Sequence, residues 1–435
     1  MSDLYFIDKC RIRFEPFLQK FLIGTTEDFR PNVLGNSSVA ILQLIHKGYT
    51  LDSIVEIFKE KYGETCINDV VNYFNKLVQK GHLTKEKPLK QYIDFTRTNA
   101  LSDNYYFYAP DRVQLEITRS CNMKCDHCYH PGTDSQQEMM DLEMIKKMID
   151  EFSEQGVFVI QLSGGEPFLH PDIGKIVDYI YDKHMAVQIF TNANFLDNYL
   201  THDFVGKVME FIISLDGDEE FHDKFRSLKG AYAKTLENTK QVLKLGAKVK
   251  ISYSLVEDNM KYVQEAHDLL VSLGVDSFVC GVPVPIGNAK DIDYTVEKYR
   301  KLQIFVSEFY EKNNVETTNR KEGYQFYEKL PLEFSCSAGK AFLYISTDYD
   351  VFPCPFFAQH NFKLYNMFDG EDHVAIWHDS PLLKEFRDVR ISSTKGCTDC
   401  DTCKYWCRAC VYNLTGKING APTFCYLSKG DINES

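Results

Sequence analysis

No stretch of this sequence carries an apolar run long enough to cross a bilayer. The first residues, MSDLYFIDKCRIRFEPF, scatter charges where a signal peptide would keep an unbroken apolar centre. Both absences point to a cytoplasmic protein. A basic surplus is missing as well: 49 basic against 62 acidic residues leave a formal charge of -13, so no general attraction to phosphate backbones or anionic membranes is expected. Nucleic acid and membrane partners are set aside on that ground. Cysteine, by contrast, is plentiful. Fourteen thiols in a reducing compartment are poorly explained by disulfides, which makes metal binding the leading reading. Eleven of them fall in two tight groups, while Cys10, Cys66 and Cys280 stand alone in apolar or strand-like surroundings and read as ordinary buried thiols.

Along the 435 residues the periodicity divides the chain into parts. Residues 1–90 carry two strand-like segments, RIRFEPF and KFLIGTT, then three helical patterns that stop at Gly48, Gly63 and Gly81. This order predicts a small winged-helix-like module. Its 13 basic and 11 acidic residues leave +2, against -15 for the remainder, yet a basic recognition helix is absent and DNA binding is not favoured. A linker over 91–110 follows. From 111 to 327 the segments VQLEITR, VFVIQLSGG, AVQIFTNA, EFIISLDG, VKISYSLV and SFVCGVPVP alternate with amphipathic helical stretches, which predicts an α/β fold with a parallel sheet, either open or a partial (β/α)6 barrel. Chemistry in such barrels gathers at the carboxyl ends of the strands, where each motif below falls. Residues 328–435 break into short segments dense in cysteine, the mark of a small domain stabilised by metal.

The first group, TRSCNMKCDHCYH, places Cys121, Cys125 and Cys128 in a C-x3-C-x2-C loop directly after a strand. Three thiolates so close can wrap one iron–sulfur cubane and leave one iron without a protein ligand. The competing reading is zinc, which in structural sites usually takes four protein ligands. With Tyr129 after the third cysteine, the loop resembles that of the radical S-adenosylmethionine (SAM) superfamily. The resemblance implies a [4Fe-4S] cluster whose open iron binds the amino and carboxylate groups of SAM, and a 5′-deoxyadenosyl radical that abstracts hydrogen from substrate carbon. It further implies that Gly164, Gly165 and Glu166 of LSGGEP receive the SAM ammonium group. Thr191, Asn192, Ser214, Asp216 and Ser254 would surround its ribose or methionine portion, and Arg226 would face its carboxylate. His222 and Asp223 read as structural. No general base is singled out among the many acids.

The second group comprises Cys336, Cys354, Cys397, Cys400, Cys403, Cys407, Cys410 and Cys425, eight thiols matching the demand of two fully ligated four-iron clusters. Two structural zinc ions are the alternative. The order resembles the SPASM domain of radical SAM enzymes that modify peptides. It departs by an extra cysteine in the middle run and by Tyr349 where the family has glycine. The resemblance assigns Cys336, Cys354, Cys407 and Cys410 to one auxiliary cluster and Cys397, Cys400, Cys403 and Cys425 to the other, for three [4Fe-4S] clusters in all. The amino-terminal module in turn resembles the precursor-recognition domain of ribosomal peptide maturation, which binds leader peptides by strand addition.

Together these resemblances imply a radical SAM oxidoreductase, a maturase that cross-links a precursor peptide and takes electrons from a low-potential donor. Streptide-type maturases, which join a lysine carbon to a tryptophan ring carbon, have the most similar layout. Thioether formation at a peptide cysteine is the alternative bond. A sulfatase-type maturase is disfavoured by the first ninety residues, and a non-catalytic, zinc-stabilised peptide-binding protein is the reading from another class.

Overall fold

The computed structural model describes residues 3–16, 18–27, 32–95, 106–129, 138–293, 295–313, 336–358, 361–388 and 407–418. Cys397, Cys400, Cys403 and Cys425 lie outside the described residues.

The strand and helix segments read in the amino-terminal region form. After β1 (Phe6–Ile7) come a hairpin of β2 (Cys10–Glu15) and β3 (Lys20–Thr25), the short β4 (Asn32–Val33), helices α1 (Asn36–His46), α2 (Leu51–Tyr62) and α3 (Ile67–Gln79), and β5 (Leu83–Thr84). Thr50 caps α2 by accepting the Ser53 N–H, and Gly63 ends it at a φ of 83°, which side chains disfavour. Ile54 and Phe58 of α2 and Val70, Phe74 and Leu77 of α3 pack in one cluster with Ile12, Phe14 and Ile23 of the hairpin. Within the stretch read as a linker, β6 (Tyr92–Ile93) pairs parallel with β2, giving a sheet of order β4-β3-β2-β6.

All six strand segments read from the sequence form: β7 (Arg112–Thr118), β8 (Val159–Gly164), β9 (Ala186–Thr191), β10 (Glu210–Ser214), β11 (Val249–Ser254) and β12 (Ser277–Gly281). They lie parallel in the order β12-β11-β10-β9-β8-β7. Between them run α4 (Leu142–Gln155), α5 (Ile173–Asp182), α6 (His202–Lys207), α7 (Glu219–Phe225), α8 (Ala231–Lys244) and α9 (Val263–Ser272), with α10 (Val296–Lys312) after the last. Alternate strand residues such as Val113, Leu115, Ile160, Leu162, Val187 and Ile189 form the main core with Ile145, Ile149, Ile176 and Ile180 of the helices. The opposite face is polar. Gln161 Nε2 donates to Gln188 Oε1 (2.6 Å), Gln188 Nε2 to Glu210 Oε2 (2.6 Å) and Lys250 Nζ to the same oxygen (3.0 Å), a belt that runs across four strands.

The sheet does not stop at the barrel. β13 (Phe342–Ile345) pairs parallel with β7, and β14 (Asp350–Phe352) and β15 (Tyr365–Asn366) add antiparallel, for nine strands among the described residues. The amino-terminal module docks at the other end of the strands. Leu22 of β3 packs with Phe107, Phe158, Val159, Ala186, Met209 and Ala341, residues at or just before strand starts. Gly24 lies so tightly on Phe158 that a Cβ there would overlap its ring. Arg11 donates to the Lys183 carbonyl (2.6 Å) and to Ser153 Oγ and O, and Arg13 donates to the carbonyls of Gly156 (3.0 Å) and Pro110 (3.2 Å). Those acceptors sit at the carboxyl ends of α4 and α5 and before β7, where helix carbonyls lack internal partners. No helix among the described residues is long and apolar enough to cross a membrane.

Candidate functional site

The three-cysteine loop leaves β7 at the carboxyl end of the sheet and is fixed from three sides, mostly through backbone. From β8, the Gly165 N–H donates to Thr118 O (2.7 Å) and the Glu166 N–H to Ser120 O (2.8 Å). Here glycine is obligatory: a Cβ on Gly165 would stand 2.6 Å from Arg119 O and nearer still to Ser120 O, and one on Gly164, at a φ of 147°, would overlap Thr118 O. From beyond β12, the Asn288 N–H donates to Cys128 O (2.9 Å) and Asn288 Nδ2 to Cys125 O (2.9 Å), while Gly287 rests on the carbonyls of Cys128 and Tyr129. From α7, Phe225 O accepts the Asp126 N–H (3.0 Å), and the His127 ring stacks on Phe225 at 4.3 Å. The loop thus bridges the carboxyl ends of the first and last strands of the barrel.

Two buried carboxylates organise the surroundings. Glu166 accepts from Thr191 Oγ1 (2.7 Å), from the Asn192 N–H (2.8 Å) and from the Phe168 N–H (3.2 Å), and Asn192 Nδ2 reaches Asn122 Oδ1 inside the loop (2.8 Å). Burial pushes the Glu166 carboxyl up to about 7 against the pull of those donors. Asp216 accepts Arg226 Nε (2.8 Å) and Nη2 (2.6 Å) on one oxygen and the Ser254 N–H (2.6 Å) on the other. Arg226 Nη1 lies 3.9 Å from Cys125 Sγ. Of the residues singled out in the sequence, Gly164, Gly165, Glu166, Thr191 and Asn192 therefore form one tie on the loop, and Asp216, Arg226 and Ser254 a second. Ser214, half-buried, ends β10 between them. His222 Nδ1 accepts the Asp216 N–H (3.1 Å), and Asp223 caps the Gly230 and Tyr232 N–H groups, both structural tasks. Sequence reasoning missed Asn122, Gly287 and Asn288; the only signal for the last two was a glycine closely following a strand.

Burial pushes the Cys121 thiol up to about 12 and the Cys125 thiol up to about 11, the latter opposed by Arg226. A metal would supply the positive charge that thiols so buried lack, and so draw off their protons. Burial, aided by Arg226, holds His127 well below the usual imidazole range and His222 down to about 3, so both rings are neutral. Among the described residues no three His, Cys, Asp or Glu side chains converge on the position of one metal ion. A cubane makes a different demand, since each corner iron takes its own sulfur. Three thiols on one loop, with a glycine turn pressed against it, fit such a group.

Further along, Cys336, Cys354, Cys407 and Cys410 come together around Phe357, Phe386 and Ala409. Burial drives the Cys354 thiol well above its ordinary range, with Cys336 and Cys407 adding to the effect, and lifts Cys407 to about 12, with Cys336 and Cys410 adding. The Cys410 thiol donates to the Tyr299 hydroxyl at 3.2 Å. Of the solitary thiols, Cys10 and Cys280 are buried and Cys66 is half-buried.

Residues 115–302 match the family model described as the Radical SAM superfamily, and six parallel strands with a three-cysteine loop at their carboxyl ends make the fold that of a radical SAM domain. Three proteins illustrate what the chain is similar to. The antilisterial bacteriocin subtilosin biosynthesis protein AlbA of Bacillus subtilis is 28% identical over 302 residues, 66% of this chain but only 63% of AlbA, so the match spans less than two thirds of that relative. The AdoMet-dependent heme synthase of Methanosarcina barkeri is 25% identical over 354 residues, 74% of this chain and 98% of that protein. SuiB of Streptococcus suis, in a structure bound to S-adenosylmethionine, superposes with a TM-score of 0.69 at 17% identity over 97% of this chain and 100% of SuiB. A second SuiB structure, bound to precursor peptide SuiA, gives 0.68 at 16% over the same shares. At such identity the likeness to SuiB establishes the fold.

Proposed function

We propose that this protein is a radical SAM maturase that binds the leader of a ribosomally made precursor peptide and forms an intramolecular cross-link in it, a lysine–tryptophan carbon–carbon bond. The observation that carries the reading is the three-thiol loop, clamped between β8 and the Gly287–Asn288 turn, within a fold that follows SuiB over 97% of the chain. Cys121, Cys125 and Cys128 would hold the catalytic cluster, and Cys336, Cys354, Cys407 and Cys410 an auxiliary one. Cys397, Cys400, Cys403 and Cys425 would hold a third. When bound, cluster and SAM supply a carbon radical able to take hydrogen from unactivated carbon.

The chain's own residues do the rest. The Gly164–Glu166 turn and the strand-end groups Thr191, Asn192, Ser214, Asp216 and Ser254 line the place where SAM would lie, and the polar belt of Gln161, Gln188, Glu210 and Lys250 floors the concave face below it. The module at the other end takes the leader along its edge at β4, where Asn32 and Val33 are exposed and backbone pairing supplies affinity. A low-potential electron donor completes the partners, and the cytoplasm is the compartment.

The test uses full-length protein prepared anaerobically with iron and sulfide. Three four-iron clusters require on the order of twelve irons per chain, and strong reductant should then cleave SAM to methionine and 5′-deoxyadenosine. Zinc without labile sulfide, or SAM left intact, would overturn the proposal. For the bond itself, the product should weigh two hydrogens less than its precursor, with the change mapped to one lysine and one tryptophan; mapping to a cysteine would replace it by a thioether.

A further inference from the structure

Arg226 meets the cysteine loop through its side chain, and its neighbour Phe225 meets it through the backbone. Arg226 follows α7 directly, and the preceding carbonyl, Phe225 O, accepts the Asp126 N–H from within the loop. Its guanidinium, 5% exposed, spends Nε and Nη2 on a single Asp216 oxygen, at 2.8 and 2.6 Å, which turns Nη1 to Cys125 Sγ at 3.9 Å. Asp216 is itself immobilised: its second oxygen accepts the Ser254 N–H, and its own N–H donates to His222 Nδ1. The fork is thus oriented toward a sulfur.

The family resemblance implies a different task for this residue, contact with the SAM carboxylate. Beside that task, we propose that Arg226, positioned by Asp216, acts on the cluster through the Cys125 sulfur and raises its reduction potential. The inference rests on the proposed function, in that Cys125 must be a cluster ligand. The physical ground is direct. Reduction adds a negative charge to a buried group, and a fixed cation with an N–H aimed at a ligand sulfur stabilises that charge; hydrogen bonds to the sulfurs and net charge set such potentials. Arginine keeps its charge at any working pH.

The experiment is a redox titration of the full-length, cluster-loaded protein without SAM, followed by electron paramagnetic resonance of the reduced catalytic cluster. Arg226→Gln should disfavour reduction about tenfold, a fall in midpoint of about 59 mV for one electron. Arg226→Lys should fall less, because it keeps the charge and loses the fork. Asp216→Asn, which frees the guanidinium, should also shift the midpoint. SAM binding is read separately from the change it makes in the same spectrum. An unchanged midpoint in Arg226→Gln, whatever happens to SAM binding, would overturn the inference and leave the residue the carboxylate role alone. Absence of a four-iron signal in the parent protein would overturn the proposed function along with it.

Discussion

The two ends of the barrel both bury arginine beside a carboxylate, and they use the pair in opposite ways. At the amino end Arg11, Arg13 and Glu15 of β2 are 2%, 3% and 0% exposed, and the guanidinium donors go to Ser153, Lys183, Pro110 and Gly156. Fixed backbone acceptors absorb the charge, and the result is a seal between module and barrel. At the carboxyl end Asp216 holds two of the Arg226 donors and leaves a third against a thiol. The same chemistry makes a structural joint where most acceptors are backbone carbonyls, and at the other end sets a donor against a thiol. The arrangement also separates two tasks, since the strands between the ends rise roughly 3.3 Å per residue over six or so residues.

The largest effect that would break this contrast belongs to the carboxyl end. In Gly165→Ala the new methyl meets two backbone oxygens, Ser120 O and Arg119 O, and no side chain can yield to admit it. The loop must move, and a displacement near 1 Å in a catalytic group costs on the order of a hundredfold. SAM cleavage should fall by that factor, with iron bound at the first site reduced, while circular dichroism and the melting temperature of the module change little. Normal cleavage would show that the turn does not position the loop.

The amino end should behave in reverse. Arg11→Met leaves the Ser153 and Lys183 carbonyls at two helix ends without their charged donor, a loss worth about 3 kcal/mol. The melting temperature should drop and protease should release the module, yet cluster loading and SAM cleavage of the folded fraction should match the parent. Equal loss of both would mean that the two ends are not independent.

Legibility in the sequence divides along the same line. The six strands and three amino-terminal helices were readable because alternation and helical period are side-chain patterns, and Cys121, Cys125 and Cys128 because their spacing is. The clamp by Gly287 and Asn288 was not readable, since backbone-to-backbone contact leaves almost no trace in residue type. RIRFEPF was legible as a strand, but the burial of Arg11 and Arg13 by docking is a tertiary effect that alternation cannot register. Tyr349 stands where the resemblance expects glycine; it takes a φ of 65° that a bulky residue rarely adopts, and its hydroxyl accepts the Asp141 N–H at 3.0 Å. Arg226 stood out in the sequence by resemblance alone, and its contacts with Asp216 and Cys125 were legible only in three dimensions.

The smallest expected effect is a pH dependence confined to the amino end. Burial pushes the Glu15 carboxyl up to about 8 from an ordinary 4.5, despite Arg13 and the Tyr108 N–H, with Asp111 adding to the rise. Because the folded value lies above the unfolded one, folding takes up a proton between them. The contribution is complete below about 4.5 and is lost as pH climbs through about 8. Glu15→Gln keeps the shape and can keep the 3.3 Å contact with Arg13, but has no proton to lose. Its melting temperature relative to the parent should therefore be lowest near pH 5 and rise by about 2 to 5 °C toward pH 8, the scale of roughly one kcal/mol in a chain of several hundred residues. Parallel melting curves across that window would show that Glu15 is ionised in the folded protein and that the seal, like the carboxyl end, carries a true ion pair.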